Sequence, residues 1–145
     1  MQSGIEQEFV VTTAGQLQIR AGNAARAAVM LTRRFPELEQ STASFSEWNC
    51  DAAITLAAAW LRTGEDERAR QLLARVATWL ESSAGPRYPS ATVMRAQVHA
   101  LLGEREEAVA ERGQMLALLH VDPSFDSLRG DRRMTTLLAG LGAPR

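Results

Sequence analysis

The sequence predicts an all-α protein built from about three antiparallel helix pairs with a short C-terminal capping segment. Three observations carry that expectation. A glycine-centred phrase occurs three times, as "GNAARA" (Gly22–Ala27), "GEDERA" (Gly64–Ala69) and "GEREEA" (Gly103–Ala108). Apolar residues recur at helical spacing on both sides of each glycine. No strand signal of useful length appears anywhere in the 145 residues.

The repeat has a physical logic. Glycine ends a helix because it enters the left-handed conformation at low cost. Acidic residues then open the next helix, where the helix dipole favours negative charge. The small residue five positions on, Ala27, Ala69 or Ala108, lets two helices approach closely. A turn this short leaves the two helices antiparallel and adjacent. "IRAGNAARAAVML" (Ile19–Leu31) aligns without gaps on "LRTGEDERARQLL" (Leu61–Leu73). Near-equal spacing of such phrases is the signature of a repeat architecture.

The first pair is expected over about 5–35, as Ile5 to Ala21 and Asn23 to Phe35, with Pro36 stopping the second helix. The β-branched Thr12–Thr13 pair works against the first helix. The second pair is expected over about 45–82. Ser44-x-x-Glu47 reads as a capping box, and Ala53, Leu56, Ala57 and Trp60 follow at helical spacing. Past Gly64, Ala69, Leu72, Leu73, Val76, Ala77 and Leu80 form an amphipathic stripe. "SSAGPRYPS" (Ser82–Ser90) breaks the pattern with two prolines and a glycine. The third pair is expected over about 90–120. Its first helix runs from Ala91 to Leu102; its second runs from Glu104 to about His120, where Gly113 costs roughly 1 kcal/mol relative to alanine. Over 122–142, Asp122 caps a short helix with Pro123 at its first position, and Asp131 caps a last one carrying Met134, Leu137 and Leu138. A stack of helix pairs leaves an apolar face open at its end, and this segment is placed to close it. The expectation is one domain spanning 1–145.

Composition narrows function. Sixteen basic residues, all arginine, stand against 17 acidic ones for a net charge of −1. That balance gives no support to nucleic-acid binding, which usually shows a basic excess. One cysteine, Cys50, excludes an internal disulfide and reads as a buried thiol. The N-terminal "MQSGIEQEFVVTT" lacks the basic region and long apolar core of a secretory signal, and no uncharged apolar run reaches membrane-spanning length. A cytoplasmic location without membrane contact is expected. No nucleophile elbow, phosphate-binding glycine loop or dinucleotide fingerprint occurs. His99 sits among Val98, Leu101 and Leu102 as a packing residue, and His120 suits a helix C-terminus. The acidic clusters after Gly64 and Gly103 lack the alternating oxygen ligands of a calcium loop. No enzyme activity, cofactor or metal site is expected.

On these residues the chain resembles the tetratricopeptide repeat (TPR) family, over roughly residues 8–120. Leu56 and Ala57 take the family's Leu-Gly place, Trp60 its aromatic place, Gly64 its turn glycine and Ala69 its small residue. The copies around Gly22 and Gly103 depart further: His99 replaces the aromatic, and Arg112 stands at a normally apolar position. The tail "DPSFDSLRGDRRMTTLLAGLG" (Asp122–Gly142) resembles a closing segment of TPR regions at the C-terminal ends of larger bacterial proteins, winged-helix regulators and Ser/Thr kinases among them. The resemblance implies an α-α superhelix whose first helices line a concave groove. It would place Thr12, Gln16, Ile19 and Arg20 there from the first pair, Ile54, Ala58, Leu61 and Arg62 from the second, and Val93, Gln97 and Leu101 from the third. The implied function is non-catalytic binding of a protein, peptide or partner helix, with Arg20 and Arg62 at equivalent positions beside an acidic group. The lysine and asparagine of the family's carboxylate clamp are missing. Two alternatives stay open: the sensory or regulatory end of a longer bacterial regulator or kinase, and a self-associating module that forms a homodimer.

Overall fold

The computed structural model describes residues 4–42, 44–82, 90–104 and 132, and every described element is helical. The chain divides into two compact units, Met1–Pro86 and Arg87–Arg145. The first holds α1 (Gly4–Arg20), α2 (Ala24–Arg34), a 3-10 turn (Pro36–Glu39), α3 (Glu47–Thr63) and α4 (Asp66–Glu81); the second holds α5 (Ser90–Leu102). The second helix expected after Gly103, with Ala108, and the capping segment over 122–142 fall outside the described residues apart from Arg132.

The repeated glycines form one kind of hinge. Gly22, Gly64 and Gly103 have φ of 85°, 85° and 79°, left-handed values that L-residues adopt at a cost. The residue after each glycine donates its N–H to the carbonyl five positions back: Asn23 to Gln18 at 2.8 Å, Glu65 to Trp60 at 2.8 Å and Glu104 to His99 at 2.9 Å. This bond satisfies a carbonyl that the helix end would otherwise leave unpaired. The side chains flanking the hinge reinforce it in different ways. Asn23 Nδ2 donates to Gln18 Oε1 at 3.1 Å, and His99 Nδ1 lies 2.6 Å from Glu104 Oε2. In the middle copy Trp60 stands at that position, and the Arg68 guanidinium covers its ring at 4.3 Å while lying 3.6 Å from Glu65.

Contacts across the hinges show antiparallel pairing in the first unit. Glu8 near the start of α1 meets Arg34 at the end of α2 at 3.2 Å. Phe45, just before α3, packs against Trp79 near the end of α4 with ring centroids 6.3 Å apart and the rings tilted by 49°. Gly15 gives α1 and α2 a close approach: a Cβ there would lie 3.2 Å from Leu31 Cδ1. Helix α3 packs against α4, α2 and α1, and Ala52 through Trp60 are buried without a break. Ile19, Leu31, Phe35, Leu38, Leu56, Leu72 and Leu73 complete the interior of the first unit, and the repeat alanines Ala27 and Ala69 are fully buried with them.

Local chemistry explains two details of the helices. Helix α1 runs through Thr12 and Thr13 without interruption, because Thr12 is buried and tertiary packing outweighs a propensity term of a few tenths of a kcal/mol. The cap of α3 is Ser46, not Ser44. Ser46 Oγ accepts from the Asn49 N–H at 3.4 Å, Ser46 N–H donates to Asn49 Oδ1 at 2.7 Å, and Asn49 Nδ2 donates to the Ser44 carbonyl at 2.9 Å. Asparagine thus does the work of the glutamate in a reciprocal cap and also ties down Ser44, two residues before the cap.

Candidate functional site

The connector between the pairs is strapped onto α4 by two arginines about two turns apart on one face of the helix. Arg68 pairs with Glu39 at 2.6 Å. Arg75 donates from Nη2 to the Leu38 carbonyl at 3.1 Å and from Nη1 to the Gln40 carbonyl, with its guanidinium 5.9 Å from the Phe45 ring. Beside this strap lies an open depression of about 480 Å³ lined by Ser41, Thr42, Phe45, Arg75, Thr78 and Trp79. A second, of about 280 Å³, lies between α2 and the Gly64 hinge, lined by Val29, Thr32, Glu39, Trp60 and Arg68 among others. The arginines in both already engage backbone carbonyls, carboxylates or aromatic rings of the chain itself.

Among the described residues, the most exposed large apolar side chains are on α1. Phe9 is 70% exposed, Val10 61% and Leu17 62%, although the opposite side of the helix buries Thr12, Gly15 and Ile19. Val29 on α2 is 49% exposed. Helix α1 is therefore apolar on two sides, one against α2 and α3 and one against solvent. Large apolar side chains clustered on one exposed face mark an interaction surface more than isolated ones do.

The residues expected to line a groove are distributed unevenly. Thr12, Ile19, Ile54 and Ala58 are buried. Gln16 is half-buried and donates from Nε2 to Thr55 Oγ1 at 3.4 Å, a link between α1 and α3. Leu61 is half-buried, while Arg20 and Arg62 are exposed. In the second unit Val93 and Gln97 are buried and Leu101 is half-buried. Sequence reasoning passed over Phe9, Val10 and Leu17, yet a signal was available: these residues sit off the Thr12–Ile19 stripe, and a helix with two apolar sides has two neighbours to satisfy.

Ionisable chemistry is sparse. Cys50 is buried, and its thiol is pushed up to about 12 by burial, with the neighbouring Asp51 carboxylate adding to the rise. Such a thiol is a poor nucleophile at neutral pH. Among the described residues no group of three or more His, Cys, Asp or Glu side chains is placed to hold a metal ion, and no helix is long and apolar enough to cross a membrane. Comparison of the chain with protein-family models, with curated proteins and with solved structures found no match.

Proposed function

We propose that the chain is a non-catalytic protein–protein interaction module of TPR-like architecture, and that it docks a partner helix along the outer face of α1. The observation that carries this reading is the exposure of Phe9, Val10 and Leu17 on a helix whose opposite side is buried. The architecture draws support from the three equivalent hinges and from the packing of α3 against both helices of the preceding pair, the arrangement that a stack of helix pairs requires. A helix-in-groove partner reads such a surface through apolar anchors about one turn apart. Arg20, exposed at the C-terminal end of the same face, favours an acidic end on the partner. Ile54 and Ala58 are buried and so take no part in this surface.

The test is capture of proteins from a source lysate by the immobilised chain, compared with Leu17→Arg. The variant removes an apolar anchor that is already in water, so helicity by circular dichroism is expected to stay unchanged while capture is lost. Undiminished capture by a folded Leu17→Arg chain rejects the α1 face.

A further inference from the structure

We draw no further inference here: the strongest candidate, the exposed apolar face of α1 formed by Phe9, Val10 and Leu17, carries nothing beyond the docking role already proposed because nothing in the structure shows what covers it.

Discussion

At Gly64 a backbone φ of 85° coincides with open space where a Cβ would stand. An alanine Cβ there meets no neighbour, so the whole cost of that substitution is conformational. Gly64→Ala should therefore destabilise the chain by about 1–2 kcal/mol, and Gly22→Ala by a similar amount, measured by urea denaturation with an unchanged m-value. Gly15 poses the opposite case. Its backbone is helical, but an added side chain meets Leu31, which is fully buried. Gly15→Leu should cost about 1–3 kcal/mol through overpacking. The hinges were legible because a left-handed turn has a nearly unique residue preference. The close approach at Gly15 was not, since the sequence holds no trace of which helix face a glycine meets. Cys50 gives a pH prediction. Its thiol titrates near 9 when unfolded and is raised to about 12 in the fold. Between those values the unfolded chain releases a proton that the folded chain keeps, so stability falls as pH rises. Thermal melts at increasing alkalinity should show Cys50→Ala losing less of its stability above pH 9 than the wild type does. Equal losses would mean the thiol is not buried from water.

Among the elements, the connector from Pro36 to Ser46 does more than join two pairs. It supplies carbonyl acceptors to Arg75, a carboxylate to Arg68 and an aromatic ring to Trp79. Exposed ion pairs such as Arg68–Glu39 contribute little, about 0–1 kcal/mol. Hydrogen bonds from a charged donor to backbone carbonyls contribute about 1.5–3 kcal/mol. Arg75→Met should accordingly lower stability more than Glu39→Gln, the first by about 1–3 kcal/mol and the second by less than 1 kcal/mol. Equal effects of the two substitutions would show that the strap is held by charge alone. The described helices follow from sequence pattern to within a residue or two: Pro36 ends α2, and Gly64 separates α3 from α4 at the places their chemistry dictates. The strap does not follow from pattern, because Arg75 belongs to the polar side of α4 and its acceptors lie 35 and 37 residues away. The site was the least legible part. Groove positions transferred from a repeat register assume an open inner face, whereas Thr12, Ile19, Ile54 and Ala58 are interior residues here.

For the molecule as a whole, the question is whether helix pairs melt one by one or together. In a solenoid whose repeats touch weakly, a damaged pair unfolds while its neighbour persists. The first unit is wired against that outcome. Helix α3 packs on its own partner α4 and on both α1 and α2, and Gln16 reaches across to Thr55 at 3.4 Å. Removing α3 would therefore expose the inner sides of both preceding helices. Those helices are 17 and 11 residues long, and isolated helices of such length are marginal in water. Ala69→Trp is the perturbation to use. Ala69 is fully buried where α4 begins, and an indole there has no room. The expected result is a single cooperative transition at lower temperature, with Gly15 and Leu31 amides losing hydrogen-exchange protection in step with those of α3. Two resolved transitions, with α1 and α2 still protected after α3 and α4 have exchanged, would mean that the pairs are separate folding units and that the contacts of α3 with α1 and α2 contribute little. The same logic predicts that residues 1–86 alone, which form one of the two compact units, melt cooperatively, because the burial that makes α3 indispensable lies among α1, α2 and α4.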